Sequence, residues 1–410
     1  MKKSEGVLFA AVLVDMLGFG IVMPVLPFYA TKLSATPLEV TVIIASFSAT
    51  QLAAAPLWGR VSDRRGRRPL IIAGLFASAV SYLIFGLAQS VAVLLLSRIA
   101  AGAAGGTISV AQAYIADTTT AERRAHVLGL LGAASGLGVM LGPALGGFVS
   151  RWGLAAPGFV AAGLCTLNAL AALVLLPESR RRAHAHAPAG ATATLGGWLR
   201  TMTGYPLSLL LGVYFLTISA FTAMSALLAL FAEARFGLEA DDVGLLFALA
   251  GATTVVVRGV LLGWFVRRFG EPFTVRIGTI GLLITLGAMP LLPSPAWLWA
   301  LMPLYAFGAG TLFPALASLV SRATDDASQG SVLGGSQVVG GLGRVVGPLW
   351  AGWVFQQIGI GTPFTIGAVV VAMAFLLALR IPPARRVVRA EEPPATEEVV
   401  GTPGVAADQV

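Results

Sequence analysis

The sequence predicts an all-α polytopic membrane protein: twelve transmembrane helices in two six-helix bundles related by pseudo-twofold symmetry. Three observations carry this. Hydrophobic residues make up 57% of the chain and charged residues 11%, with a mean hydropathy of +0.85. A soluble domain carries about 25% charged residues, so this chain cannot cover itself with a water-compatible surface. The 410 residues contain twelve apolar runs long enough to span a bilayer. The chain also repeats itself. Gly138-V-M-L-Gly142-Pro143-A-L-G-Gly147 matches Gly343-R-V-V-Gly347-Pro348-L-W-A-Gly352 at an offset of 205, which Gly129 and Gly334 share. Duplication at half the chain length marks a two-bundle carrier with its site between the halves.

The runs follow in order. Lys2 and Lys3 precede the first, 6–30, which contains Asp15, lacks a small-residue cleavage site and is read as a retained helix rather than a signal peptide. Runs 39–58 and 69–89 carry no charge after Glu39 and flank the segment Gly59–Pro69, GRVSDRRGRRP, which reads as a tight basic turn. Runs 91–116, 125–150 and 155–177 complete the first half. The interruption 178–206 holds Arg180, Arg181, Arg182, His184 and His186 in a Gly/Ala/Thr-rich stretch and reads as a linker. Two histidines in a loop are an incidental pair, and no metal site is expected. Runs 207–232, 242–264, 273–293, 295–320, 329–356 and 361–381 form the second half. The tail from Pro382 has a disorder-like composition. The domains are therefore 1–177, 178–206, 207–381 and 382–410.

A net charge of +8 would suggest nucleic acid in a soluble protein. Here membrane topology explains it. With the N-terminus inside, 21 of 27 basic residues fall in inside segments, three (Lys32, Arg151, Arg235) fall outside, and three (Arg98, Arg258, Arg344) fall within spans. By the positive-inside rule both termini are expected in the cytoplasm. Trp297 and Trp299 read as interfacial belt residues. The single cysteine, Cys165, excludes an intramolecular disulfide. The glycines of 102–106 lie in a span and follow no strand, so they are no dinucleotide fingerprint. No nucleotide loop, zinc site or nucleophile triad is present, and neither an enzyme nor a cofactor is expected.

The pattern G-x-x-x-D-R-x-G-R-R at 59–68 resembles the loop joining spans two and three of the major facilitator superfamily of secondary transporters. The resemblance implies that Gly59, Asp63, Arg64, Gly66, Arg67 and Arg68 form a latch for the outward-open state. Asp63 would cap the start of span eleven near Ser328, and Arg67 would bridge it to Asp117. A topology signal would need only the arginines. Asp15, in D-M-L-G-F-G-I-V-M-P, is the one acid deep in a run, and a carboxylate at that depth is protonated, paired or functional. Its stretch resembles the first-span motif of twelve-span drug:proton antiporters, including the tetracycline-efflux group. Arg98 in L-L-L-S-R resembles the family's fourth-span arginine and is expected to pair with Asp15 for proton coupling; a static pair that only fixes packing is the alternative. Gly138, Gly142, Pro143, Gly146 and Gly147 resemble the antiporter motif of span five, against simple tight packing. The segment 112–124 also resembles tetracycline-efflux members, whereas Arg258-Gly259 departs from their Gln-Gly in span eight.

The resemblance, which covers about residues 6–381, implies export of a small, partly apolar compound in exchange for protons through Asp15, by a carrier expected to be monomeric. Its partners would be the substrate, protons and the bilayer, with no nucleic acid. Arg258 and Arg344 are intramembrane cations in a half without an intramembrane acid, which argues against a simple cationic-drug site. They support an alternative, uptake or uniport of an anionic metabolite or movement of a lipid, although Arg258 also reads as a residue snorkelling to the surface. A receptor or scaffold is disfavoured, since it needs neither latch nor buried acid. Cavity candidates are Phe19, Gln51, Gln112, Tyr214, Phe247, Tyr305 and Gln337, each with a packing or lipid-facing role as the alternative.

Overall fold

A computed structural model describes residues 3–178, 202–324 and 329–382. Most of the 178–206 linker and nearly all of the tail lie outside the described residues. Twelve helical spans are long and apolar enough to cross a membrane. Span one is Lys3–Val22 continued by Leu26–Lys32; spans two and three are Pro37–Arg65 and Arg67–Gly86. Span four is Val91–Ala104 plus Thr107–Thr118; spans five and six are Ala121–Ser150 and Ala156–Leu175. Spans seven to twelve are Leu207–Phe236, Ala240–Phe269, Glu271–Leu291, Ala296–Arg322, Gln329–Gln357 and Thr362–Leu379. The end of the molecule that holds the 59–69 segment is termed the basic face.

The helices overrun the apolar stretches where their ends reach water. Span two starts with a capping box: the Glu39 amide donates to Thr36 Oγ1 and the Thr36 amide to Glu39 Oε2 (2.7 Å). At its other end it continues through Gly59 to Arg65, so most of the expected turn is helix. The reversal is confined to Gly66, at φ 94° and ψ 160°, where a side chain would be strained. Gly270, 204 residues later, adopts φ 85° and ψ 167° between spans eight and nine. Span four breaks at Gly105–Gly106. Side chains of span two meet carbonyls next to the break: Trp58 Nε1 donates to Ala103 O (2.6 Å) and Gln51 Nε2 to Gly105 O (3.4 Å). A helix can break at this depth only where such partners exist. Span eight contains a π turn, Val257–Leu261.

Small residues set how closely the helices approach. A Cβ on Gly142 would lie 2.6 Å from the Cα of Gly20, and one on Gly138 2.6 Å from the carbonyl of Leu13. Span five thus lies backbone to backbone on span one. Gly343 and Gly347 lie in the same way on Ile218 and Ser219 of span seven. Gly147 faces Asp241 and Gly244 of span eight, and Gly352 faces Thr41 of span two. The internal repeat is therefore a repeat of packing.

The seam between the bundles closes on one side only. At the end away from the basic face, Leu38 N–H donates to Gln356 Oε1 (3.1 Å) and Arg151 pairs with Asp241 (3.0 Å). Gly251 on Met140 and Gly341 on Leu52 continue the contact inward. At 100° per residue, Gly129, Gly132 and Gly136 share a stripe with Met140, Pro143 and Gly147, yet a Cβ on any of the three would meet nothing within 4 Å. Gly59, Gly259 and Gly334 are equally open on spans two, eight and eleven. All four seam helices separate at one level, leaving a cleft open to the basic face. Gly142→Val, in the closed packing, is expected to cost about 1–3 kcal/mol of stability, whereas Gly136→Ala in the open stretch stays within about 1 kcal/mol of the parent. Thermal melts in one detergent check this, and equal losses would contradict the seam.

Candidate transport site

Asp15 sits mid-span in the N-terminal bundle and is 6% exposed. It faces span three, where Ser78 and Tyr82 lie near it. Cys165 of span six closes the same pocket beside Gly18. Arg98, 2% exposed, reaches span three from span four. Its guanidinium lies 5.5 Å from the Tyr82 ring centre and 5.2 Å from that of Phe85. Nε donates to Ser97 Oγ (3.4 Å), while Nη1 and Nη2 are buried without a hydrogen bond. The expected Asp15–Arg98 ion pair is not formed among the described residues. Arg98 lies against the Tyr82 ring, and Asp15 stands near enough to Tyr82 to interact with it electrostatically. Aromatic faces hold a cation without neutralising it.

On the basic face Arg67 joins two acids. It pairs with Asp63 (2.7 Å) and, through Nε, with Asp117 (3.0 Å), and its Nη1 donates to Ser62 Oγ. Arg68 is tied elsewhere, donating to the Leu173 carbonyl of span six (2.6 Å), and Arg64 is exposed. Asp63 is 65% exposed, and among the described residues Arg67 is its only partner. The expected cap site, the start of span eleven near Ser328, lies outside the described residues.

The C-terminal bundle repeats this cluster with its signs exchanged. Glu271, 204 residues after Arg67, accepts from Arg322 Nε (3.3 Å) and Ser318 Oγ (2.5 Å). Arg322 stands 205 residues after Asp117, and Arg267 stands 204 after Asp63. Among the described residues only the Glu271–Arg322 pair of this second set forms, and Arg267 lies back against Gly263.

Arg344 lies 15 residues into span eleven, about 22 Å along the helix from the basic-face end. On the helical wheel it falls between Gly341, which faces Leu52 of span two, and Gly340, which faces Tyr214 of span seven. The exposed apolar residues Leu342, Val346 and Trp353 lie on the opposite side. Arg344 therefore points into the cleft and away from lipid. Arg258 is exposed in the π turn, seven residues after Gly251 on the stripe that faces span five. Neither arginine has an acid partner among the described residues.

A family model described as the Major Facilitator Superfamily matches residues 8–348, with a second match over 304–406. The chain belongs to the major facilitator superfamily. It is 31% identical over 373 residues to tetracycline resistance protein class E of Escherichia coli, covering 87% of this chain and 91% of that protein. It is 28% identical to multidrug resistance protein 2 of Bacillus subtilis (strain 168), covering 92% and 97%. Among solved structures, the human organic anion transporter MFSD10 (TETRAN) superposes with a TM-score of 0.67 at 26% identity, covering 92% of this chain and 99% of that one. The nucleoside transporter NupG matches the fold with a TM-score of 0.74 at 13% identity. The protein is a multi-pass membrane transporter of this superfamily and not an enzyme.

Within this superfamily fold the candidate cavity residues separate. Gln337 is exposed on the Arg344 stripe, and Tyr214 borders Gly340. Tyr305 does not face the cleft: it is buried, stacked on Phe221 (4.9 Å), and its hydroxyl donates to the Phe221 carbonyl (3.0 Å). Gln51 is committed to the span-four break. Phe19 packs on Phe47 (5.1 Å), Phe247 is half-buried against the core, and Gln112 is exposed. Sequence reasoning missed Ser78, Tyr82 and Trp58, which look like ordinary apolar-run residues. It also missed Glu271–Arg322, which the repeat offset would have revealed had it been carried past the glycines.

The exchanged signs yield a test. Arg67→Glu sets an acid against Asp63 and Asp117 and lowers the melting temperature. Adding Asp117→Arg recreates the polarity of the second half and recovers part of the loss, with a coupling of about 0.5–3 kcal/mol. Additive losses in melts of the two single variants and the double variant would show that the pair is not energetically linked.

Proposed function

We propose that this transporter exports a small amphipathic compound in exchange for protons, by alternating access, from a cell whose cytoplasm faces the basic surface. The observation that carries the reading is Asp15, the only acid deep in a described span, buried beside Ser78 and Tyr82. An ionisable group kept in hydrocarbon costs several kcal/mol unless it is used or compensated. The names of the relatives agree with export: tetracycline resistance in Escherichia coli and multidrug resistance in Bacillus subtilis. The solved relative is named for organic anions, which leaves the charge of the cargo to the residues themselves.

In this cycle the open cleft receives substrate from the cytoplasm while Asp63 stands exposed on Arg67. Leu38 with Gln356, Thr41 with Gly352 and Leu52 with Gly341 set an antiparallel register between spans two and eleven. Carried on, that register brings Asp63 level with the start of span eleven when the cleft closes. A carboxylate there meets the positive end of a helix and holds the outward-open state. Asp15 takes a proton from outside and releases it inside, with Arg98, through Tyr82, biasing its charge. Each proton entering down the membrane potential contributes about 2.3 kcal/mol per 100 mV.

Asp15→Asn mimics the protonated acid and cannot release a proton. In proteoliposomes it abolishes accumulation driven by a pH gradient alone while counterflow exchange persists; accumulation that survives removes Asp15 from the coupling role. Orientation is checked by cysteine labelling in intact cells. Arg65 and Trp152 are exposed at opposite ends, and the native Cys165 is buried. An impermeant thiol reagent labels Trp152→Cys and spares Arg65→Cys; the reverse pattern would invert the topology.

A further inference from the structure

We propose that the exported compound carries an anionic group on an apolar, ring-bearing body, and that Arg344 is the residue that binds the anion. This deepens the export reading above and rests on it. The starting observation is an uncompensated cation at mid-membrane. Span seven is uncharged from Leu207 to Ala232, span two between Glu39 and Arg60, and span ten from Ala296 to Ser321. None of these helices can neutralise a guanidinium placed among them. Asp15 is buried inside the N-terminal bundle beside Ser78, away from the cleft. A charge in this setting is tolerated where it lines a water-filled cavity and meets a partner, and Arg344 faces the cleft with no protein partner among the described residues.

The depth fits a binding role. Through the 205-residue repeat Arg344 corresponds to Val139, next to Gly138, which packs on Leu13 and Leu17 around Asp15. The cation and the coupling acid thus stand at one level in opposite bundles. Arg344 lies three residues to the closed side of the Leu52–Gly341 contact, and the seam opens between that contact and Gly334. A ligand entering from the basic face reaches it at the roof of the cleft. Arg258, lower on span eight, adds a second cation along the way, and low-dielectric walls focus such a field on entering anions. Beside Arg344 the wall is apolar and aromatic: Tyr214 packs edge to face on Phe313 (6.0 Å), which packs in turn on Phe221 (5.3 Å). A planar guanidinium next to such a wall matches a carboxylate on a ring, since its paired donors fit the two oxygens.

The test uses full-length protein in detergent and three radiolabelled probes on one naphthyl body: 2-naphthoate, its near-isostere 2-naphthamide, and 2-naphthyltrimethylammonium as a cationic control. Equilibrium dialysis is expected to show naphthoate bound about tenfold tighter than the amide, with the ammonium weakest. R344Q loses about that tenfold for naphthoate and leaves the amide unchanged, while R344K keeps part of the preference. Q337E, at an exposed position on the same stripe, also weakens naphthoate alone, and it carries the test if R344Q does not fold. Equal affinities for naphthoate and amide, an unchanged ratio in R344Q and Q337E, or binding of none of the probes overturns the proposal. Proteoliposomes separate it from the export reading. Naphthoate that binds through Arg344 but is not moved by a pH gradient leaves the anion site standing and removes proton-driven export. Gradient-driven movement of the ammonium probe alone does the reverse.

Discussion

Spans five and eleven hold the molecule together because glycine lets their backbones touch their neighbours. Gly142 lies on Gly20 and Gly347 on Ser219 inside the bundles, while Gly147 and Gly352 reach across to the other bundle. In lipid, burial of apolar surface drives helix association only weakly, so van der Waals contact at short range has to supply it. A larger residue at these points would push the helices apart and take both the bundle and the seam with it. The same helix face continues from close contact at Pro143 and Gly147 to open space at Gly129, so one stripe carries both the closed and the open part of the seam.

The exchanged clusters on the basic face show how a duplicated chain keeps geometry while losing sequence. The glycine reversals at Gly66 and Gly270 are nearly identical in angle, and the first residue of the following span pairs with the end of the next one in each half. Arg67 bonds Asp117; Glu271 bonds Arg322. The attraction depends on the product of the charges, so inverting every sign preserves it. The field it projects is reversed, however. In the first half the cluster also includes an exposed acid, Asp63.

Charge is also divided between the bundles. The N-terminal bundle keeps Asp15 and Arg98 buried in its core, both near Tyr82, whereas the C-terminal bundle turns Arg258 and Arg344 to the cleft. This division separates the group proposed to carry the proton from the groups proposed to meet the cargo. On that proposal, coupling passes through movement of the bundles at the seam.

The twelve spans, the duplication and the membrane setting were legible in the sequence, because each rests on local composition or on spacing along the chain. An apolar run of about 20 residues has few fates other than a membrane helix, and a repeat at 205 needs no coordinates to be seen. Asp15 was legible for the same reason, as an acid where hydrocarbon tolerates none without a role. What tertiary structure decided is where side chains point and which of them meet. It replaced the expected turn at 59–69 by a helix ending at Gly66, because a helix extends into water as long as its backbone bonds are satisfied. It set Arg98 against Tyr82 without an ion pair to Asp15, withdrew Tyr305 into the bundle, spent Gln51 on the broken span four, and aimed Arg344 at the cleft. Each outcome depends on helices far apart in sequence, and on rotations about their axes that hydropathy does not encode.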